Sequence, residues 1–222
     1  MTKRLGDRPN LLAVALDVMS ETQAHAAAAA AIKRFARIDV LVNNAGFGLL
    51  SAVEEATAQG IEHVYATNVF GLLGVIRAVL PHMRRQRSGH ILNISSIGGY
   101  PASQGWGIYC STKFAVEGIT EALAIELKPL GIHATVVEPG FFRTDFLDVQ
   151  SLSVSPSSIA DDHETAGAMR DFASTANHAN PGDPTKLASV MMVLADAPEL
   201  PVQMPFGRDT VRRIEAKNAF VA

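Results

Sequence analysis

The sequence is poor in cysteine: Cys110 is the single one among 222 residues, so an internal disulfide is impossible and a reducing compartment is expected. There is no block of about five like charges and the formal net charge is −3, which argues against nucleic-acid binding. No apolar run reaches about 18 residues, so no membrane span is predicted. The polar residues 1–10 carry no apolar signal region. These absences predict a soluble cytoplasmic protein with neither nucleic acid nor a membrane as partner.

The sequence does have enough apolar content for one well-packed domain, because 48% of it is hydrophobic and its length suits a single core. Strand-like and helix-like patterns alternate along it. Predicted strands cover residues 11–16, 39–42, 90–94, 132–137 and 202–206. Predicted helices cover residues 20–35, 57–82, 106–130, 184–195 and 209–219. The less regular residues 144–180 are expected to form one or two short helices with some mobility.

This alternation predicts an α/β fold, with a doubly wound parallel sheet that helices cover on both faces. In such sheets ligands bind beyond the carboxyl ends of the strands. Several polar or small residues fall at those predicted ends, and we therefore expect them to surround one site. They are Asp17, residues 44–46, Ser96, Pro139 and Gly140.

Tyr109 and Lys113 stand one helical turn apart at the start of a predicted helix, so their side chains share one face. An ammonium at that distance favours the phenolate and lowers the pKa of the tyrosine from about 10. Such a phenol can exchange a proton with a carbonyl or alcohol oxygen near neutral pH. The pair by itself also fits a surface lysine beside a core tyrosine.

Four other features join this pair, and each has a plainer alternative. Ser96, just past a strand, could hold a substrate oxygen beside Tyr109, or could be a loop or cap serine. Asn68 lies on the apolar stripe of a long helix and is either a core asparagine or the holder of a relay water. Gly46 allows close approach of a ligand to the backbone, or simply forms a turn. The segment from Pro139 to Thr144 could fix a nicotinamide carboxamide, or could also be a turn.

Taken together, these residues resemble the short-chain dehydrogenase/reductase (SDR) family, which they match in order and spacing over residues 11–145. The resemblance rests on Asn43-Asn44-Ala45-Gly46, Asn68, Asn93-Ile94-Ser95-Ser96, Tyr109-Cys110-Ser111-Thr112-Lys113, and Glu138-Pro139-Gly140 through Thr144. It implies one Rossmann-like domain over residues 1–222, with a variable substrate lid over about 145–180. It also implies hydride transfer between NAD(P), with NADP slightly favoured, and a small carbonyl or alcohol substrate.

The resemblance implies a role for each matching residue. Tyr109 is the general acid/base, and Lys113 lowers its pKa and binds the nicotinamide ribose. Ser96 positions the substrate oxygen, and Asn68 holds a relay water. The expected cofactor contacts on the adenosine side are Asp17, Asn44, Ala45 and Gly46. Those on the nicotinamide side are Pro139, Gly140, Phe142 and Thr144. No metal ligand is implied, and Cys110 is assigned no chemistry.

One family feature is missing: the first β-α-β unit with its Gly-rich turn, where the cofactor's pyrophosphate meets a helix N-terminus. Ten residues precede the first predicted strand, and Gly6 is the only glycine among them. A fragment or a wrong start is the first explanation, and a complementing partner chain or lost catalysis are the others.

The missing unit keeps two readings open: an SDR oxidoreductase, and an impaired fragment or cofactor-free binding or assembly protein. A nucleotide-sugar epimerase or dehydratase is disfavoured, because no larger C-terminal substrate domain is present. A homodimer or homotetramer is expected by resemblance, through residues 57–82 and 106–130. The apolar lid residues suggest a moderately apolar substrate; they are Phe146, Leu147, Leu152, Met169 and Phe172.

Overall fold

The computed structural model describes residues 8–197 and 200–221, so most of the polar segment 1–10, including Gly6, lies outside the described residues. Its strands are β1 (Val40–Asn43), β2 (Gly48–Leu50), β3 (Gly89–Ile94), β4 (Ile132–Pro139), β5 (Leu152–Val154) and β6 (Gln203–Phe206). Four of them form an all-parallel sheet in the order β1-β3-β4-β6, while β2 and β5 form a separate parallel pair. The predicted α/β class is therefore confirmed.

Seven α-helices alternate with these strands in the described part of the chain. They are α1 (Glu21–Phe35), α2 (Ala58–Tyr65), α3 (Leu72–Gln86), α4 (Gly107–Leu127), α5 (Ala168–Ala176), α6 (Pro184–Ala195) and α7 (Arg208–Val221). Capping residues mark where several of these helices begin or end. Ser20 caps α1 by accepting from the Gln23 amide, and Gly131 adopts a left-handed conformation (φ 68°) after the 3₁₀ turn that ends α4.

The main core lies between one face of the sheet and helices α1, α3 and α4. Ile91 of β3 pairs in register with Ala134 of β4, and both side chains are buried in this core. Ala24 and Ala28 of α1 pack into the same cluster. Small alanine side chains let α1 lie close to α3. On the opposite face, the His90 ring approaches the backbone of Leu194 in α6, so helices cover both faces.

The expected strand over residues 11–16 is wrong, since the segment forms no ladder although the sequence pattern is apolar. A strand is stable only when neighbouring strands satisfy its N–H and C=O groups. In the resembled fold, its neighbour belongs to the β-α-β unit that the sequence lacks. Leu12, Val14 and Leu16 are consequently exposed, and so is Val42 of β1, whose strand pairs only with β3 in the described sheet.

The predicted helix over residues 57–82 is longer than expected and is not uniform. A π turn (Ala66–Gly71) joins α2 to α3, and the composite helix runs from Ala58 to Gln86. By length and hydropathy it could cross a membrane, but 56% of its most apolar window is buried inside the protein, as in a core helix. The π turn contains Asn68, and such single-turn bulges are frequent at functional sites.

The predicted lid, residues 145–180, contains more structure than the sequence indicates. Its only α-helix in the described chain is α5, but β5 also adds a strand beside β2. Three-residue strands are too short to show a periodicity, so this pairing has no sequence signal. The pairing of β5 with β2 joins the first part of the lid to the segment that follows β1.

Candidate active site

Tyr109 and Lys113 lie in the first turns of α4 and line the same cavity, as their spacing predicts. Each is 7% exposed. The Lys113 Nζ lies 5.6 Å from the centre of the Tyr109 ring and donates to the Ile94 carbonyl at 2.9 Å. This backbone bond fixes the ammonium between the end of β3 and the phenol.

The pKa values of the pair are governed by burial rather than by mutual attraction. Burial raises the pKa of Tyr109 well above its usual 10, and the neighbouring Ser96 side chain opposes that rise. Burial also lowers the pKa of Lys113 to about 8, against the opposing charge of Glu117. The lowering of the Tyr109 pKa by Lys113, expected from the sequence, is therefore not found in this arrangement. Tyr109 is a protonated phenol at neutral pH.

Ser96 serves as a cap and also faces the cavity. Its Oγ accepts from the Gly98 amide at 3.0 Å and begins the 3₁₀ turn Ile97–Gly99. The same side chain neighbours the Tyr109 hydroxyl. A β-carbon on Gly98 would lie 2.9 Å from the Cys110 Sγ, so this glycine allows the turn to pack against α4.

Asn68 is fully hydrogen bonded inside the protein and joins two parts of the site. Its Oδ1 accepts from the Phe47 amide at 3.1 Å, and its Nδ2 donates to the Phe47 carbonyl at 3.0 Å and to the Thr112 Oγ1 at 3.2 Å. A β-carbon on Gly46 would lie 3.0 Å from the Asn68 Oδ1 and 3.8 Å from the Lys113 Nζ. Asn68 thus holds the strand-end loop against α4, and its relay-water role stays a prediction.

One cavity of about 690 Å³ opens at the carboxyl ends of β1, β3 and β4. Nine of the twelve residues predicted for the site line it; they are Asn44, Gly46, Ser96, Tyr109, Lys113, Pro139, Gly140, Phe142 and Thr144. Ala45 and Asn68 are not on its wall. Asp17 is also absent from it, because its side chain accepts from the Met19 amide and its own amide donates to Gln23 at the start of α1.

The segment after β4 is anchored on both sides of the cavity. The Phe141 amide donates to the Asp209 carboxylate at 2.7 Å, and a β-carbon on Gly140 would collide with that carboxylate. Phe142 bridges to Gly182 beyond the lid. The glycine is therefore required for the close approach of α7.

Two buried carboxyl groups lie next to the site, and neither was predicted from the sequence to have a role there. Glu117 stands one turn beyond Lys113 on α4, and Glu138 lies on β4 with 1% exposure. Burial raises the pKa of each carboxyl group to about 7. Both Glu117 oxygens, one Glu138 oxygen and the Ser95 hydroxyl have no hydrogen-bond partner among the described residues. The one-turn spacing from Lys113 was the available signal for Glu117.

Aromatic side chains form one side of the cavity. Trp106 lies 5.6 Å from the Tyr109 ring, and Phe146 of the lid lies 5.5 Å from the same ring, between centroids. Trp106 and Phe146 are also stacked, 6.2 Å apart. Phe146 belongs to the predicted apolar lid set, whereas Trp106 was not singled out in the sequence. Together they enclose the phenol in an apolar wall.

A buried ion pair holds the lid over this wall. The Glu55 carboxylate accepts from the amides of Ala52 and Ile159, both at 2.9 Å, and pairs with Arg170 of α5. The hydrogen bond from the Ile159 amide is the largest cause of a lowered Glu55 pKa, so the group is ionised. The Glu55 side chain has no exposed surface. Glu55 therefore connects the loop after β2 to two points of the lid.

The substitution Glu55→Gln is expected to loosen the lid, because it removes the charge that Arg170 needs in a largely buried position. Amide hydrogen exchange at residues 159–176 should accelerate by about tenfold or more. Glu54→Gln, at the exposed neighbouring position, is the matched control. If amide hydrogen exchange at residues 159–176 is equally fast in both variants, Glu55 does not hold the lid in place.

Comparison with known proteins agrees with this geometry. Residues 1–153 match the family described as short chain dehydrogenase. An uncharacterized oxidoreductase of Schizosaccharomyces pombe is 42% identical over 144 residues, which are 65% of this chain and 61% of that protein. A 3-ketodihydrosphingosine reductase of Bacteroides thetaiotaomicron is 44% identical over 138 residues, 62% of this chain and 51% of that protein. The chain thus spans about half to three fifths of these relatives.

Solved structures extend the similarity over nearly the whole chain. A short-chain dehydrogenase from Streptomyces avermitilis has 35% identity and a TM-score of 0.85, covering 94% of this chain and 75% of that one. ElxO with NADP bound has 28% identity and a TM-score of 0.71, covering 89% and 77%. A short-chain dehydrogenase/reductase from Burkholderia phymatum in complex with NAD has 25% identity and a TM-score of 0.80, covering 94% and 75%. With its parallel sheet and the Tyr109–Lys113 pair beside the strand ends, the chain belongs to the short-chain dehydrogenase family.

Proposed function

We propose that this site transfers a hydride between NAD(P) and a small carbonyl or alcohol, with Tyr109 as the general acid/base. The observation that carries the proposal is the shared cavity wall of Tyr109, Ser96 and Lys113 at the strand ends. Oxidoreductases among the relatives, and the NADP and NAD bound to two of the similar structures, support it. NADP is slightly favoured over NAD as the cofactor.

The residues present fit the nicotinamide half of such a cofactor. Gly46 leaves room beside the Lys113 ammonium that a β-carbon would take, and Pro139 and Gly140 border the same cavity. When bound in its reduced form, the cofactor supplies a hydride to the carbonyl carbon of the substrate. Lys113 would bind the ribose, while Pro139, Gly140, Phe142 and Thr144 would surround the ring.

The proton comes from the chain itself. As the carbonyl carbon gains the hydride, its oxygen becomes basic, and the Tyr109 hydroxyl donates a proton to it to complete the alcohol. Ser96 donates a hydrogen bond to the same oxygen and fixes its position. Burial raises the pKa of the Tyr109 hydroxyl, so this phenol holds the proton that carbonyl reduction requires. The Lys113 ammonium then stabilises the phenolate until a proton returns.

The alternative is that this 222-residue chain by itself is a cofactor-free binding or assembly protein, since it contains no Gly-rich turn for a pyrophosphate. Calorimetry of the 222-residue chain with NADH and NADPH separates the two. We expect weak binding, because a pyrophosphate normally gains most of its contacts at the turn and helix N-terminus that this sequence lacks. Tight binding of either nucleotide would rule out the alternative.

A turnover assay tests the oxidoreductase proposal directly. The 222-residue chain, and a fusion carrying the Gly-rich β-α-β unit of a relative, are assayed for oxidation of NADPH and NADH with apolar ketones. We expect turnover to appear or to increase strongly in the fusion. A fusion that binds NADPH tightly but reduces no ketone in a broad panel would overturn the proposal.

A homodimer or homotetramer is proposed for the assembled protein. The composite helix and α4, which are expected to pair subunits, carry exposed Phe70, Phe114 and Ile125. Apolar side chains on two helices are suited to self-association. Sedimentation of the purified chain as a monomer would contradict this proposal.

A further inference from the structure

A second cation lies on the cavity wall besides Lys113. Arg213 projects from α7, and its Nη2 donates to the Ala102 carbonyl at 3.1 Å and to the Ser103 Oγ at 2.6 Å. Both acceptors are uncharged, so they position the guanidinium without neutralising it. Its other N–H groups have the fork geometry that matches a carboxylate.

No carboxylate of the described chain pairs with Arg213. Asp209, one turn earlier on α7, is the obvious candidate, but it accepts from the Phe141 amide instead. The described lining of the cavity contains no aspartate or glutamate at all. The neighbouring cation of α7, Lys217, bonds to the Tyr100 carbonyl and is not on the wall. Arg213 thus places a positive charge in a cavity without a negative side chain.

Tyr109, Ser96, Cys110 and Arg213 all line this one cavity. A β-carbon on Gly98 would lie 2.9 Å from the Cys110 Sγ, 3.6 Å from the Ser96 Oγ and 3.9 Å from the Tyr109 Cε1. Burial raises the pKa of the Cys110 thiol, and the charge of Arg213 opposes that rise, so the guanidinium acts on a side chain adjacent to Tyr109. Tyr109 and Arg213 can therefore both be contacted by one molecule that fills this cavity of about 690 Å³.

The wall between these two ends is apolar and aromatic. Phe141 and Phe172 lie with their ring centres 5.6 Å apart, and Met169 lines the same cavity. An apolar body is stabilised there by burial, and a carboxylate is stabilised at the Arg213 guanidinium, since the other cation of the wall, Lys113, already donates to the Ile94 carbonyl beside the phenol. We propose that Arg213 selects substrates that carry a carboxylate at the end of an apolar body, with the reacting carbonyl held at Tyr109 and Ser96.

This inference rests on the proposed function for its carbonyl, but its test needs neither cofactor nor turnover. Trp106 is the single tryptophan of the sequence and lines the cavity, so its fluorescence reports occupancy. Octanoate and octanamide are the probes, because they share one chain and differ in charge. Titrations compare the unchanged protein with Arg213→Gln, Arg213→Lys and, as a matched control, Arg212→Gln on the same helix.

Octanoate is expected to bind about tenfold more tightly than octanamide in the unchanged protein and in Arg212→Gln. Arg213→Gln should lose this preference while its octanamide affinity stays within about twofold, which also shows that the cavity has folded. Arg213→Lys should retain part of the preference. Equal binding of the two probes, a preference that survives in Arg213→Gln, or no fluorescence change with either probe overturns the inference. If the chain prefers octanoate but its fusion with the Gly-rich unit binds NADPH tightly and reduces no ketone, the proposed function alone is overturned.

Discussion

Tyr109→Phe is expected to reduce ketone turnover by a factor of about 10³ or more while leaving the fold intact. The change removes only the hydroxyl, so the ring keeps its contacts with Trp106 and Phe146. Without that hydroxyl the substrate oxygen loses its general acid, and general acid catalysis typically contributes about 10² to 10⁴ in rate. The measurement is the rate of NADPH oxidation in the fusion that carries the Gly-rich unit, together with the affinity for NADPH.

Tyr65→Phe is the matched control for this prediction. The Tyr65 hydroxyl also lies in a hydrogen bond, at 2.8 Å from the Ser111 Oγ, but it is not on the cavity wall. This variant should keep turnover within a few-fold of the parent. If Tyr109→Phe reduces the substrate at the parental rate, the acid/base role of Tyr109 is wrong, whatever the cavity binds.

The sequence predicts the helices and the site mainly through local signals. The Ser20 cap and Gly131 indicate where helices begin and end, and the structure has the expected features there. Tyr109 and Lys113 share a face because helix geometry fixes their spacing. Residues at the ends of β1, β3 and β4 meet because parallel strands bring their carboxyl ends to one edge. None of these inferences needs a distant contact.

The features that the sequence did not predict depend on distant parts of the chain. Residues 11–16 have a strand-like composition, yet no strand among the described residues pairs with them. Pairing of β2 with β5 joins segments about a hundred residues apart, and three-residue strands carry no pattern. The pKa of Tyr109 depends on how deeply α4 is buried, which spacing along one helix does not reveal. Burial therefore reversed the direction of the expected pKa change.

Burial also makes the contribution of Glu117 and Glu138 to the stability of the folded chain fall as the pH rises from about 5 to 8. Glu117 and Glu138 have pKa values of about 7 in the folded protein, above the ordinary 4.5 of an exposed glutamate. A carboxyl group of this kind binds its proton more tightly in the folded state, so it favours folding below pH 4.5 and loses that contribution as the pH approaches 7. Each group can lower the free energy of unfolding by up to about 3 kcal/mol across this range.

Replacement of both acids by glutamine should remove most of this pH dependence. The amide has the same shape and does not ionise, so Glu117→Gln with Glu138→Gln should be more stable than the parent at pH 8 and much closer to it at pH 5. Urea unfolding at both pH values gives the free energies. Lys113, with a pKa lowered to about 8, adds stability mainly above pH 8 and so does not mask the effect.

Glu126→Gln, at an exposed position on α4, is the control and should follow the parent at both pH values. The pair of buried acids lies behind the lysine that supports the phenol, so their ionisation also affects the site. A negative charge on Glu117 favours the charged form of Lys113, the cation on the cavity wall beside Tyr109. If the difference in unfolding free energy between the double glutamine variant and the parent is the same at pH 5 and pH 8, these carboxyl groups do not have raised pKa values in the folded protein, and the basis of this coupling is wrong.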